Sequence, residues 1–312
     1  MTLRSHQGSD IIGLMPPTSQ KRESGPPGVA AARFGARSPE SRGLSDRARE
    51  FFFDWLTELR ACGPTARRLF LRRLAQQYRY SSFGILWAFV PPALATLMLI
   101  GGQRAHIVGS QEGVPAAFYG VFGLAIVQTF LEAINATRRV FASHAELLRR
   151  QNVPLDGLIV AALLDTAFTM LIRIAIVAVA FFVFSVQPAW PTVALAAAGF
   201  VGVAFLGAGL GLLVAPLASL KRDVENMFTI FPWLLLAVTP VFMPPPAGSL
   251  FARVCEYNSL TRILDGMRAA AYGGAGTPSA TLRGLIAGAF LLVLGWAFCR
   301  FARPHVVERT LA

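Results

Sequence analysis

Three ionisable side chains, Glu132, Asp165 and Arg173, sit inside long apolar runs of this 312-residue chain. A charge at that depth is costly and normally faces the interior of a helix bundle, where it pairs with another group or lines a polar path. Asp165 and Arg173 are separated by two helical turns and more, about 12 Å along an axis. They cannot pair with each other, so each needs a partner elsewhere, and a structural pairing between spans is favoured over a proton relay. Around Glu132 the helical period sorts the side chains. Phe118, Tyr119, Phe122 and Phe130 fall on one arc, and Gln128, Glu132 and Asn135 on another. Tyr80, Phe83 and Trp87 also share a face. Aromatic rings stack on the C–H faces of sugars, so Tyr80, Phe83, Trp87, Phe118, Tyr119 and Phe122, together with Glu132, form a candidate substrate-channel lining. The competing use of such rings is anchoring at the membrane interface.

Other chemistry finds little support. The histidines His6, His106, His144 and His305 are scattered, and Cys62, Cys255 and Cys299 lie far apart without a C-x-x-C pair. Neither a disulfide framework nor a metal site is indicated, and no catalytic residue is assigned. A membrane enzyme acting on a polyprenyl-linked sugar would need carboxylates or histidines clustered at one interface, which makes it the weakest reading. The only lysines, Lys21 and Lys221, do not end a G-x-x-x-x-G-K-[ST] loop, so the chain has no P-loop of its own and no cofactor is expected in it.

The elements that must position these residues are membrane helices. With 54% hydrophobic residues, 15% charged residues and a mean hydropathy of +0.52, the chain is too apolar for an ordinary soluble domain. Residues 1–44, rich in Gly, Pro, Ser and Arg, read as a disordered cytoplasmic tail, with an apolar run too short for a signal peptide. Residues 45–79 read as amphipathic interface helices. The first carries Phe51, Trp55, Leu56 and Leu59 on one face, and the second holds Arg67, Arg68, Arg72, Arg73 and Arg79 at headgroup level. Residues 80–303 hold six apolar segments, near 84–102, 116–136, 158–185, 190–217, 227–244 and 282–300. Residues 304–312 form a cytoplasmic tail. In the fifth segment Pro232, Pro240 and the run Pro244–Pro246 predict a kinked or re-entrant element. Gly199, Gly202, Gly207, Gly209 and Gly211 predict a close-packing face on the fourth. The fold class is thus all-α: a polytopic protein of six transmembrane helices with an N-terminal interface helix and short outer re-entrant or gate helices within 245–281.

The net charge of +12 points to anionic lipid headgroups rather than nucleic acid. With both termini inside, 23 Lys and Arg fall on the cytoplasmic side and five, Arg104, Arg253, Arg262, Arg268 and Arg283, on the outside. Cys255 then offers an outward thiol probe and Cys62 an inward one.

The spacing Arg79-Tyr80-x-Ser82-x-Gly84-x-x-Trp87-x-x-x-Pro91 resembles the start of the first transmembrane helix in ABC-2 type permeases that export polysaccharides. Asn152-Val-Pro-Leu155, Ser219-Leu-Lys-Arg-Asp223 and Thr239-Pro-Val241 are similar to further stretches of that family, whereas Asn258-Ser-Leu260 departs from its common Asn-Pro pair. The resemblance extends over about residues 65–303. It implies the permease subunit of an ATP-driven exporter that moves a lipid-linked polysaccharide, of O-antigen, capsule or teichoic type, across the cytoplasmic (inner) membrane. It also implies a homodimer with the channel between protomers, and a separate ABC ATPase subunit in two copies that holds ATP and Mg. The 137–157 loop would carry the coupling helix, with Phe141, Glu146, Leu147 and Arg150 as docking residues. An amphipathic helix lying on the headgroups is the alternative for that loop. The outer helices would form a gate, through Leu250, Phe251, Tyr257 and Leu260. A permease of the same fold for a small amphipathic compound or lipid is the alternative function.

Overall fold

The computed structural model describes residues 61–76, 90–104, 113–143, 154–246, 248–274 and 276–311. These residues are almost entirely helical, without a strand among them. In chain order they form α1 (61–76), α2 (Val90–Arg104), α3 (Ala116–Arg138), α4 (Val140–Ser143), α5 (Leu155–Val183), α6 (Val193–Leu220), α7 (Arg222–Val238), α8 (Leu250–Tyr257), α9 (Ser259–Tyr272) and α10 (Pro278–Leu311). Among the described residues four helices are long and apolar enough to cross a membrane: Ala116–Arg138, Leu155–Val183, Val193–Leu220 and Pro278–Arg303. They match the second, third, fourth and sixth expected spans. The start of the first span at 84–89 and the interface helix at 45–61, apart from its last residue, lie outside the described residues.

The fifth expected span corresponds to α7, which contains Pro232. The helix runs through that proline and stops at Val238, ahead of Pro240. One missing backbone donor does not end it, because Phe228, Phe231, Leu235 and Leu236 on both sides of the proline pack against the core. Its 17 residues give a length of about 26 Å, short of the hydrocarbon thickness of about 30 Å. Beyond it the chain turns inward, burying Thr239 and Val241.

The position of α6 follows from its glycines. A Cβ on Gly207 would fall 2.5 Å from the Phe130 carbonyl oxygen of α3, and one on Gly202 would fall 2.8 Å from Leu285 Cα of α10. Gly209 meets α10 at Leu291, while Gly288 and Gly295 of α10 face the carbonyls of Gly202 and Gly209 in return. The two pairs repeat every seven residues and so stay on one face. In lipid, helices associate by close packing rather than by leaving water, so small residues at the contact set how near the backbones come. With α3 on one flank and α10 on the other, α6 is the central helix. Large apolar side chains face outward elsewhere, including Phe182 on α5, Trp233 on α7 and Phe290 on α10.

Candidate functional site

Polar side chains gather at the two ends of this bundle and along one seam within it. At the first end, Arg268 of α9 is 1% exposed. Its Nη1 donates to Tyr119 Oη at 2.7 Å and to the Pro240 carbonyl at 3.1 Å, and its Nη2 donates to the Val241 carbonyl at 3.0 Å. Asp265 adds an ion pair at 3.4 Å, and the guanidinium lies 3.5 Å from the centre of the Tyr119 ring. Gly123 leaves the room for this, since a Cβ there would meet Arg268 Nη2 and the Val241 carbonyl. Arg268 therefore replaces, for the turn after α7, the helical bonds that Pro240 and Val241 lack. Arg268, one of the five basic residues expected in the outer segments, is thus enclosed within α9's contacts. Asn258 completes the knot: its Oδ1 caps α9 by accepting from the Leu260 amide at 3.0 Å, and its Nδ2 donates to Thr239 Oγ1 at 3.1 Å.

The candidate channel rings of α3 belong to the same knot and to the core beneath it. Phe118, Tyr119 and Phe122 are fully buried. Phe118 meets Phe181 edge-on at 4.9 Å and Tyr272 at 5.4 Å, and Phe122 meets Tyr272 at 5.7 Å and Phe200 at 6.3 Å. Rings packed in this way present no face to a passing sugar. Their common arc is explained by burial against α5, α6 and α9. Tyr80, Phe83 and Trp87 lie outside the described residues.

The seam runs between α3 and α5. Asp165 is buried and pairs with Arg73 of α1 at 3.2 Å. Glu132 is partly buried, and its charge acts on Arg173, whose buried Nη1 has no hydrogen-bond partner among the described residues. Asp165 thus has its counterpart on another element, whereas Glu132 and Arg173 form no ion pair with each other among the described residues.

At the opposite end, Arg138 is buried and donates through Nη1 to Glu225 of α7, while Arg139 Nε pairs with the other Glu225 oxygen at 3.2 Å. Arg138 also lies 4.7 Å over the Phe228 ring. Phe141 is a core residue, packed with Val140, Leu158 and Cys299. It is not available as a docking anchor in this arrangement, because α4 turns its apolar side inward. Glu146, Leu147 and Arg150 lie outside the described residues. Nearby, Asp156 accepts from Trp296 Nε1 at 2.6 Å and pairs with Arg300 at 3.2 Å, which ties the start of α5 to α10.

The candidate gate residues separate. Leu250 and Tyr257 are strongly exposed, Phe251 is partly buried, and Leu260 is in the core. The three cysteines are all buried and free. Burial first, and then the Asp156 charge, pushes the Cys62 thiol above its ordinary pKa; burial and then Asp265 do the same to Cys255. Cys255 is consequently a poor native probe of topology. Arg268, Arg138 and Asp156 were not singled out by the sequence, yet they make the densest polar contacts at the bundle ends.

This arrangement defines a helical protein with the character of a membrane protein. No protein-family model matches the chain, and no curated protein matches it.

Proposed function

We propose that this chain is the transmembrane permease subunit of an ATP-driven ABC-2 type exporter that moves a lipid-linked polysaccharide across the cytoplasmic membrane. The observation that carries the reading is the Arg79 to Pro91 pattern leading into α2, in a chain without a P-loop of its own. It works as a homodimer with two copies of a separate ATPase subunit, and both termini are cytoplasmic. Support from the fold comes from the end of α3, at Arg138 and Arg139, which lies at the basic end of the bundle. There Arg138 and Arg139 hold Glu225 at the start of α7. A partner that moves this segment therefore moves α7 with it. The short helices α8 and α9, between α7 and the last span, suit an outer gate hinged on the Arg268 knot.

Burial of Phe118, Tyr119 and Phe122 favours a second reading, in which the substrate is a small amphipathic compound or lipid. The channel lining would then lie on surfaces other than the aromatic arc of α3.

Coupling is tested by replacing Leu147 with Asp, or by reversing Glu146 together with Arg150. Either change should abolish co-purification with the ATPase and substrate-stimulated ATP hydrolysis in reconstituted membranes, while the permease inserts in normal amount. Parental levels of both would refute the docking assignment. Stimulation by a lipid-linked glycan rather than by amphipathic compounds separates the two readings.

A further inference from the structure

A cavity of about 410 Å³ opens where α1, the start of α5 and the end of α10 meet, and Cys62, Pro154, Leu155, Asp156, Arg300 and Arg303 line it. These three elements are distant in the sequence; α1 and α5 touch at Gly157, whose Cβ position lies 3.7 Å from Thr65 and 3.8 Å from Cys62, and α10 joins them through Asp156. The carboxylate in the wall is already matched. Asp156 is held by Arg300 at 3.2 Å and by Trp296 at 2.6 Å. Arg303 makes no ion pair among the described residues and is the cation left over. The first turn of α5 adds to its field: Pro154 at the N-cap supplies no side-chain cap and, of the described side chains, only the Cys62 thiol meets a first-turn amide, that of Gly157, so the positive end of a 29-residue helix lies at the cavity wall.

The depth of the cavity in a bilayer follows from the helices that form it. One candidate span begins at Leu155 and another ends at Arg303. Their 29 and 26 residues correspond to about 43 and 39 Å, well beyond the hydrocarbon thickness of about 30 Å. The overhang puts both ends in the headgroup layer. Arg67, Arg68 and Arg72 of α1 are exposed and raise the positive potential on the same helix that closes the cavity. Basic pockets between transmembrane helices at this level match phosphate-bearing headgroups.

We infer that this cavity binds the phosphodiester headgroup of an anionic membrane lipid through Arg303 and the α5 N-terminus, and that the bound lipid fastens α1 to the bundle. The inference rests on the membrane placement alone and stands or falls apart from the transport reading.

The test uses the full chain extracted in mild detergent from membranes containing phosphatidylglycerol. Wild type and Arg283→Gln, a control at the exposed opposite end of α10, should retain phosphatidylglycerol in native mass spectra, and Arg303→Gln should retain at least tenfold less. In nanodiscs, wild type should melt higher with phosphatidylglycerol than with phosphatidylcholine, and Arg303→Gln should lose that difference. Equal retention by Arg303→Gln and wild type would overturn the site. So would equal melting of wild type in the two lipids, which decides the matter even if the variant fails to fold. If millimolar inorganic phosphate reproduces the shift in delipidated protein, the cavity holds a soluble anion and the lipid assignment is wrong.

Discussion

A guanidinium removed from water is tolerated only where most of its donors are met, and Arg268 engages both terminal nitrogens with two backbone carbonyls, a phenol and a carboxylate, while its buried Nε has no hydrogen-bond partner among the described residues. Replacing it with methionine keeps the bulk and leaves the Pro240 and Val241 carbonyls without their donor. The expected cost is about 2–6 kcal/mol, from two buried acceptors left unsatisfied at about 1–3 kcal/mol each. Tyr119→Phe removes one charge-assisted bond and should cost about 1.5–3 kcal/mol. Thermal melting in detergent, with the folded fraction read by gel filtration, should rank wild type above Tyr119→Phe and Tyr119→Phe above Arg268→Met. Arg268 was legible in part, because Leu260, Ile263, Leu264, Met267 and Ala271 define the buried face of α9 and Arg268 lies on that face. A lone arginine among outer polar residues hid the signal. Its partners come from segments 28 and 149 residues away, which no local pattern reveals. Two cysteines outside the spans give a prediction in pH. Folding keeps Cys62 and Cys255 protonated beyond the ordinary thiol value of 9.0. Their contribution is whole below that value and is lost as the pH rises through it toward the raised folded values. Impermeant maleimide at neutral pH should leave the native protein unlabelled and react after denaturation, and the melting temperature should fall as the pH is taken above 9.0. Rapid labelling of the folded protein at neutral pH would contradict the burial.

At the scale of elements, glycine positions tell apart close helix contacts from mere tolerance. On α6, a Cβ at Gly209 would lie 2.5 Å from the Leu291 carbonyl carbon, so Gly209→Ala must push α6 and α10 apart along their whole contact. Gly101 of α2 has no atom within 4 Å of its Cβ position, so Gly101→Ala should be neutral or stabilising by up to about 1 kcal/mol from helix propensity. Folded yield in detergent should drop sharply for the first variant and hold for the second; equal behaviour would mean that α6 and α10 do not meet as described. The small-residue face of α6 could be read from Gly199 to Gly211 because glycine spacing and helical period are both local. The partners of that face could not, since Gly288 and Gly295 are ordinary glycines of an apolar run until the fold sets them opposite. Four spans were legible from length and hydropathy. At the fifth, the sequence shows the missing donor at Pro232 but not the packing of Phe228 and Leu235 on either side of it in α7. The aromatic arc of α3 illustrates the same limit: period assigns Phe118 and Phe122 to one face, and only the packing says that this face is core.

At the scale of the molecule, the two ends of the bundle differ in charge, and this difference sets the expected orientation. Spatial pairings identify which residues share an end. Arg138 meets Glu225, and Asp156 meets Arg300, so the end of α3, the starts of α5 and α7 and the end of α10 lie together. That end carries Arg138, Arg139, Lys221, Arg222, Arg300 and Arg303. The other end, joined by Arg268 with Tyr119 and by Ala189 with Ala271, carries Arg253, Arg262 and Arg283, with Arg268 enclosed. Positive charge is retained on the cytoplasmic side, so the first end should face inward. Because the native cysteines are buried, single introduced cysteines report without their removal. Tyr257, at 87% exposure on α8, and Arg222, exposed at the start of α7, are suitable positions at opposite ends. In intact spheroplasts an impermeant maleimide should label Tyr257→Cys, and should label Arg222→Cys only after permeabilisation. The reverse pattern would invert the protein and remove the docking segment from the reach of any cytoplasmic ATPase. Labelling of both in intact spheroplasts would place the two ends on one side and contradict the spans that separate them.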